Sequence, residues 1–222
     1  MSKILIPSSG PDDWKQFLAQ PDLHWAIGYS ARTLAHAWES ATGLPTEIEA
    51  QMSSAFGPGT LLFAIPEHKT PLPGGKRESQ SDVFALVRHS SGLATYTIEG
   101  KVDERFGPTV EEWLIDASPG KLERLRHLCD LLGVEECPGD VHYQLLHRTA
   151  SAIIEAERFD ARYAGMIVHS FSPVGRWREA FDRFVSLMGG ETGSDRPSVH
   201  ELPSGKTLML AWATGSQEFR TR

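Results

Sequence analysis

Apolar residues follow two patterns along the chain. In some segments they recur at helical spacing, and in others they form short continuous runs. Residues 61–65 (LLFAI) form an unbroken apolar run between turn residues, which predicts a strand buried on both faces. Apolar positions three or four residues apart predict amphipathic helices, as where Leu34 and Trp38 share one face. The predicted helices span residues 8–20, 30–42, 46–55, 109–116, 120–132, 141–158 and 175–188, and the predicted strands span residues 61–65, 82–88, 93–101, 163–171 and 206–213.

The second and third predicted strands are joined by a short polar turn, which predicts a β-hairpin. Two registers are compatible with the sequence. A turn at residues 90–91 places Asp82 opposite Glu99, whereas a turn at residues 91–92 places Asp82 opposite Lys101. In both registers the three side chains converge, because opposed residues on paired strands lie about 5 Å apart and residues two apart share a face.

The segments between these elements are polar and rich in Gly, Ser or Pro. Residues 67–81 and 189–204 are predicted to be loops. The order of the elements, in which helices precede three strands and later alternate with strands, predicts a single α/β (α+β) domain over residues 1–222, with helices flanking a mixed central sheet. Residues 1–29 are predicted to form a helical N-terminal extension, and residues 172–222 a C-terminal helix-strand extension.

Composition narrows the classes of function. The chain has 22 Lys and Arg residues and 29 Asp and Glu residues, so its formal net charge is −7. This charge does not indicate a protein that binds polyanions in general, because such proteins carry a basic excess. The two cysteines, Cys129 and Cys137, fit neither a disulfide framework nor a zinc site. Met1–Pro7 lacks the apolar character of a signal peptide and no apolar run has membrane length, so we expect a cytoplasmic protein without membrane association.

Asp82, Glu99 and Lys101 are the strongest candidates for chemistry. Two carboxylates about 5 Å apart repel each other unless a cation lies between them. Hard oxygen ligands suit Mg²⁺ or Mn²⁺, and an adjacent lysine can orient a water molecule or stabilise the charge that develops on a phosphate. The alternative is a turn-forming aspartate beside an exposed Glu–Lys ion pair of little energetic weight.

The pattern of Asp82 followed, after intervening residues, by Glu99-x-Lys101 resembles the PD-(D/E)xK nuclease superfamily, whose restriction-endonuclease-like fold has an αβββαβ core. Residues 30–171 have their predicted elements in that order. The resemblance implies that Asp82 and Glu99 bind a divalent metal and that Lys101 serves catalysis. The implied reaction is metal-dependent hydrolysis of a phosphodiester, with nucleic acid as the implied partner.

Members of that superfamily often add an acid from the first core helix and a glutamine from the helix after the motif. The corresponding candidates are Glu39 or Glu47 as a further metal ligand and Gln144 as a supporting catalytic residue. The sequence departs from the family pattern in two places. Ser81 stands where a proline usually precedes the aspartate, and residues 147–148 (His-Arg) stand where a tyrosine usually follows the glutamine.

Three phrases, HWAIGYSARTLAHAWE, EGKVDERFG and YQLLHRTASAIIEA, resemble motif blocks of an uncharacterised bacterial family of unknown function. This resemblance covers most of the chain and implies no activity. A second hypothesis therefore stands beside the nuclease: the same fold is catalytically silent and binds a nucleic acid or a protein, which the net charge and the missing proline favour. A third, weaker hypothesis is an accessory protein that forms a homo-oligomer through residues 175–213.

Several other polar residues carry two interpretations. Gln144, His147 and Arg148 share a helical face, which either faces solvent or supports a phosphate or a metal. Residues 67–69 either border the site or belong to a solvated loop. Residues 24–32 contain aromatic and basic side chains that either stack on bases or supply an ordinary core tryptophan and surface arginine.

Overall fold

A mixed β-sheet forms the centre of the protein. The computed structural model describes residues 8–222, so the prediction that concerns Met1–Pro7 lies outside the described residues. The strands are β1 (Gly59–Thr70), β2 (Ser79–His89), β3 (Gly92–Lys101), β4 (Tyr163–Ser170), β5 (Ser198–Glu201) and β6 (Thr207–Thr214). Within residues 8–222 these strands form one sheet in the order β1-β2-β3-β4-β6-β5, so β1 and β5 are its edges.

Helices cover both faces of this sheet. They are α1 (Pro21–His24), α2 (Ser30–Ser40), α3 (Thr46–Phe56), α4 (Val110–Trp113), α5 (Pro119–Leu132), α6 (Tyr143–Arg158) and α7 (Arg178–Leu187), with 3-10 helices at Pro11–Phe17 and Gln217–Thr221. Apolar side chains of α2 and α3 pack on one face, and those of α5, α6 and α7 pack on the other. None of the helices in residues 8–222 combines the length and the apolar character needed to cross a membrane.

The directions of the strands divide the sheet into two parts. β1, β2 and β3 form an antiparallel meander, whereas β3, β4 and β6 are parallel and β5 is an antiparallel edge. β3 therefore has an antiparallel neighbour on one side and a parallel neighbour on the other. The mixed sheet with flanking helices confirms the predicted α/β (α+β) class.

Local sequence signals fix the helices that lead to α6. Thr109 and Glu112 form a reciprocal capping box at the start of α4. The Ser118 hydroxyl caps α5, and the helix ends at Gly133, whose φ of 71° is left-handed. The capping box thus fixes the start of α4, and Ser118 and Gly133 fix both ends of α5.

Side-chain hydrogen bonds and apolar packing together fix α6 to β3. Thr95 donates its hydroxyl to the Ala152 carbonyl oxygen at 2.8 Å, and Thr97 donates to the Arg148 carbonyl oxygen at 2.9 Å. Because side chains alternate along a strand, Glu99 is on the same face as these threonines. The polar end of β3 is therefore covered by the first turns of α6.

Two segments predicted as loops contain strands. β1 continues to Thr70 and β2 begins at Ser79, so the prediction of a loop over residues 67–81 is wrong at both ends. The end of β1 pairs with β2 but lies at the edge of the sheet, where strands can be polar. It therefore lacks the apolar run by which a buried strand is predicted. β5 lies inside the predicted loop over residues 189–204, and its four residues are too few for a recognisable pattern.

The segment predicted to mediate homo-oligomerisation contributes to the core of its own chain. Within residues 175–213, β6 is hydrogen-bonded to β4 on one side and to β5 on the other. Leu208, Met209 and Leu210 of this strand are buried. Homo-oligomerisation through this segment stays a prediction, and β6 is not a free surface for it.

Candidate functional site

Asp82 and Glu99 lie on adjacent strands at one end of the hairpin. Val83 pairs with Ile98, and the same register continued by one residue places Asp82 opposite Glu99. The first of the two predicted registers is therefore correct. The Asp82 carboxylate also accepts a hydrogen bond from the Gly100 amide at 2.8 Å, which holds the two strands together at this end.

The Glu99 carboxylate is the centre of the site. Its Oε1 accepts from Lys101 Nζ at 2.8 Å and from Gln144 Nε2 at 2.7 Å, and its Oε2 accepts from Arg148 Nε at 2.6 Å. Gln144 and Arg148 are four residues apart on α6 and therefore share one helical face. The predicted supporting residue Gln144 and the predicted Glu99 and Lys101 are thus in direct contact.

This charged cluster lies inside the protein. Glu99 is 2% exposed, Lys101 4% and Arg148 8%, so the interpretation of an exposed Glu–Lys pair is wrong. Burial opposes the ionisation of Glu99, but the charges of Lys101 and Arg148 hold the pKa of its carboxyl below its usual range. Glu99 is therefore an anion that two buried cations stabilise.

Two further carboxyl groups, Glu67 and Asp82, lie beside this cluster. Burial and the Glu99 charge raise the pKa of Asp82 to about 7. Burial and the Asp82 charge raise the pKa of Glu67 to about 8. A hydrogen bond that Gln80 Nε2 donates to Glu67 Oε2 at 2.8 Å acts in the opposite direction and lowers this pKa. With all three carboxyls ionised, their negative charge exceeds the positive charge of Lys101 and Arg148 by one.

Glu67 adopts an unusual backbone conformation in the middle of β1. Its φ is 52°, although glycine is the residue that adopts this region without strain. It lies between Pro66, which pairs with Val83, and His68, which pairs with Ser81. Strained residues of this kind occur preferentially where a side chain serves a function.

The charged groups line one cavity of about 370 Å³. Glu67, Asp82, Glu99, Lys101 and Gln144 form its polar wall. The opposite wall comes from the N-terminal segment and the start of α2, where the lining residues are Leu18, Ala19, His24, Tyr29, Ser30 and Ala31. Two members of the aromatic and basic cluster at residues 24–32 therefore face the candidate site.

Gln144 has an acceptor that the protein does not use. Its Nε2 donates to Glu99, whereas its Oε1 is buried and has no hydrogen-bond partner in residues 8–222. Within the same residues, no group of three or more His, Cys, Asp or Glu side chains is arranged to hold a metal ion. The oxygen atoms that could hold a hard cation here belong to the carboxylates of Asp82 and Glu99 and to the amide of Gln144. Such a set suits Mg²⁺ when water and a substrate phosphate complete the coordination.

Glu39 and Glu47 lie outside this cavity. Glu39 Oε1 accepts from Trp14 Nε1 at 2.7 Å and from Ser8, which ties the N-terminal 3-10 helix to α2. Glu47 Oε1 is 2.7 Å from Nε2 of the buried His169. Neither predicted helix acid is therefore brought together with Asp82 and Glu99.

Glu67 and Arg148 belong to the site more directly than the sequence indicates. The sequence leaves Glu67 either at the border of the site or in a solvated loop, and the structure places it in β1, opposite Asp82 in the sheet. The sequence leaves Arg148 either facing solvent or supporting a phosphate or a metal, and the structure places it on the buried face of α6, where it donates to Glu99. The spacing of Gln144 and Arg148 was the available signal for the latter, and His147 instead pairs with the Ser79 hydroxyl at 2.8 Å.

Replacing Asp82 with asparagine is expected to stabilise the metal-free protein above neutral pH. The folded-state pKa of about 7 exceeds the ordinary value of 3.8, so the native state retains a proton that the unfolded state has released. The contribution of Asp82 to the free energy of unfolding is therefore largest below about pH 4, and it is lost as the pH rises through 7. Because Asp82 keeps partial contact with solvent, we expect the variant to be more stable than wild type by about 2 kcal/mol at pH 8.

Urea unfolding from pH 4 to pH 8 in a chelating buffer measures this difference. The gap between Asp82→Asn and wild type should open with rising pH. Asp103→Asn is the matched control, because Asp103 is exposed and paired with Arg176 and Arg220. A gap for Asp82→Asn that is the same at every pH would contradict the prediction.

Most of the chain matches a known protein family. Residues 7–217 match the model of a domain of unknown function, DUF6946, and the chain therefore belongs to that family. This confirms the expected membership of a family of unknown function. No curated protein and no solved structure matches the chain significantly.

Proposed function

We propose that this DUF6946 protein is a divalent-metal-dependent phosphodiesterase of the PD-(D/E)xK type that acts on nucleic acid. One observation carries the proposal. Asp82, Glu99, Lys101 and Gln144, which come from two strands and a helix, line a single cavity. An αβββαβ order of elements, in which β4 is parallel to β3, also supports it. Fold alone does not imply activity, and the residues that line the cavity are the main support for this function.

The donors in the cavity fit Mg²⁺ or Mn²⁺. Three carboxyls face two cations, and the buried Gln144 Oε1 has no partner in residues 8–222. A divalent ion would be held by Asp82, Glu99 and Gln144, with Glu67 beside them. When bound, such an ion polarises a phosphoryl oxygen and lowers the pKa of a coordinated water.

The protein's own cations have separate tasks in this proposal. Arg148 is buried and anchors Glu99 Oε2, so it holds the carboxylate in place. Lys101 lies in the cavity wall with its ammonium 2.8 Å from Glu99 Oε1. An ammonium has three donors, so Lys101 retains donors for a water molecule or a non-bridging phosphate oxygen.

Calorimetric titration with Mn²⁺ and Mg²⁺ tests the metal site. Wild type is expected to bind Mn²⁺, and Asp82→Asn is expected to weaken binding at least tenfold. Asp103→Asn serves again as the control, since Asp103 makes its ion pairs outside the cavity lining. The titration is repeated with a saturating non-hydrolysable dinucleotide analogue, because substrate phosphate can complete the coordination of Mg²⁺. Equal binding by wild type and Asp82→Asn in both titrations would contradict the proposal.

A second candidate is a catalytically silent module that binds a nucleic acid or a protein. The observation that favours it is the saturation of Glu99, whose two oxygens are engaged by Lys101, Gln144 and Arg148. A carboxylate whose lone pairs are used in this way is stable without a metal. Tight binding of an oligonucleotide that neither Mn²⁺ nor a chelator alters, without cleavage, would favour this function.

A further inference from the structure

We propose that Cys129 and Cys137 are a redox-active dithiol, which a hydroperoxide converts into an intramolecular disulfide. The inference is independent of the proposed phosphodiesterase. Both thiols are free in the structure, and both are buried. Cys129 is in α5, and Cys137 is in the segment between α5 and α6.

The two sulfur atoms are positioned for a covalent bond. Cys129 Sγ and Cys137 Sγ are 2.6 Å apart, although the residues are eight positions apart in the chain. Gly133, in its left-handed conformation, ends α5 between them and turns the chain back toward Cys129. A small side-chain displacement therefore suffices to reach the disulfide bond length of about 2.05 Å.

The same distance argues against a zinc site. Zn–S bonds of about 2.3 Å in tetrahedral geometry place two ligand sulfurs about 3.7 Å apart. The sulfurs of Cys129 and Cys137 are more than 1 Å closer than this at 2.6 Å. In residues 8–222, no third and fourth ligand from His, Cys, Asp or Glu completes a metal-holding group. The pair is suited to oxidation and not to metal coordination.

A cavity of about 460 Å³ gives a small oxidant access to the pair. Both cysteines line it, together with the acidic residues Glu111, Asp130, Glu135 and Glu136. The one basic residue of the lining is Arg126, so the lining is acidic on balance and disfavours anionic oxidants such as glutathione disulfide. A neutral hydroperoxide is not repelled, and hydrogen peroxide is its simplest representative.

An asymmetry between the two thiols indicates their order of reaction. Either sulfur can donate the hydrogen bond between them, but the Cys137 backbone also donates to Cys129. The hydrogen bonds from Cys137 lower the pKa of Cys129, whereas the hydrogen bond with Cys129 and burial raise the pKa of Cys137. Cys129 as thiolate attacks a peroxide oxygen, the O–O bond breaks, and the leaving hydroxide takes up a proton to form water. Cys137 then attacks the resulting sulfenic acid, the S–O bond breaks, and a second water leaves. Two thiols and one peroxide thus give one disulfide and two waters.

The bond would tie the end of α5 to the segment that leads into α6. Backbone hydrogen bonds from Val110 and Glu111 to Val141 and Gly139 already hold that segment against α4. Closing the short loop between the cysteines restricts the unfolded chain. Oxidation is therefore expected to raise the melting temperature by about 5–10 °C.

Mass spectrometry of the intact 222-residue chain tests the proposal. The reduced protein is treated with hydrogen peroxide, unfolded, and alkylated with iodoacetamide. We expect a loss of 2 Da, no alkylation, and recovery of two alkylatable thiols after dithiothreitol. Two thiols that remain alkylatable after peroxide would overturn the proposal, and this measurement on wild type needs no variant.

Matched serine variants test the order of reaction and the metal alternative. Cys137→Ser should stop at a sulfenic acid on Cys129, which dimedone traps, whereas Cys129→Ser should react far more slowly. A dimedone adduct confined to Cys137 in Cys129→Ser, with none on Cys129 in Cys137→Ser, would overturn the assigned order. Protection of both thiols by added Zn²⁺ at one equivalent would overturn the redox assignment in favour of metal binding.

Discussion

Replacing Lys101 with methionine is expected to lower the rate of metal-dependent phosphodiester cleavage by about 10²–10⁴-fold. Its ammonium lies in the cavity wall, 2.8 Å from Glu99 and 5.0 Å from the centre of the Phe106 ring. Methionine preserves the unbranched stem and its packing, so the substitution removes the charge and the donors. Arg148 continues to pair with Glu99, so the folded state should persist.

Initial rates with Mn²⁺ on bis(4-nitrophenyl) phosphate and on labelled single- and double-stranded DNA measure this effect. Lys121→Met is the matched control. Lys121 also places its ammonium over an aromatic ring, 5.4 Å from the centre of Trp113, but it lies outside the cavity lining. The control should keep wild-type rates. Full cleavage activity in Lys101→Met would show that the ammonium has no role in the reaction.

Replacing Glu99 with leucine is expected to lower the free energy of unfolding by about 3–5 kcal/mol. Glu99 is 2% exposed and is the anion to which Lys101 and Arg148 both donate. Its removal leaves two buried cations without the carboxylate to which both donate, and Asp82, whose pKa is about 7 in the wild type, replaces that charge only in part. The cost arises from uncompensated charge and not from lost packing.

Urea unfolding at pH 7 measures this loss. Asp140→Leu is the control, because Asp140 forms an exposed ion pair with Arg183 and should cost less than about 1 kcal/mol. The triple variant Glu99→Leu, Lys101→Met, Arg148→Met removes all three charges and should recover most of the stability. A loss below 1 kcal/mol in Glu99→Leu would contradict the view that this carboxylate holds the cluster together.

Much of the fold follows from local sequence signals. The helices have apolar positions at helical spacing and recognisable caps, as at Ser118 and Gly133 of α5. The β2–β3 hairpin follows from its turn and its apolar flanks. The two errors in the strands concern the edges of the sheet. Edge strands are polar or short, so β1 beyond Ile65 and all of β5 lack the pattern of buried strands.

The candidate site was predictable where it depends on pairing between neighbours in sequence. Asp82, Glu99 and Lys101 belong to one hairpin, so strand period and register place them together. Glu39 lies away from the other candidates because the rotation of α2 about its axis depends on distant contacts, among them the hydrogen bond that Trp14 donates to Glu39. The sequence leaves Glu67 open between the border of the site and a solvated loop, because its place depends on β1 pairing across a loop and on a left-handed φ of 52°. Such features arise from tertiary structure and leave no periodic signal.

The position of β3 inside the sheet implies an order of assembly for the site. β3 is hydrogen-bonded to β2, its neighbour in sequence, and to β4, which follows after three intervening helices. Pairing between near neighbours costs less loop-closure entropy, so Asp82 and Glu99 can meet as soon as the hairpin forms. Their counter-charge from Arg148 arrives only when α6 docks on the sheet. Before that step the two carboxyls would lie in water and be ionised beside Lys101 of the same hairpin, so the docking of α6 would bury the charges of Glu99 and Arg148 together.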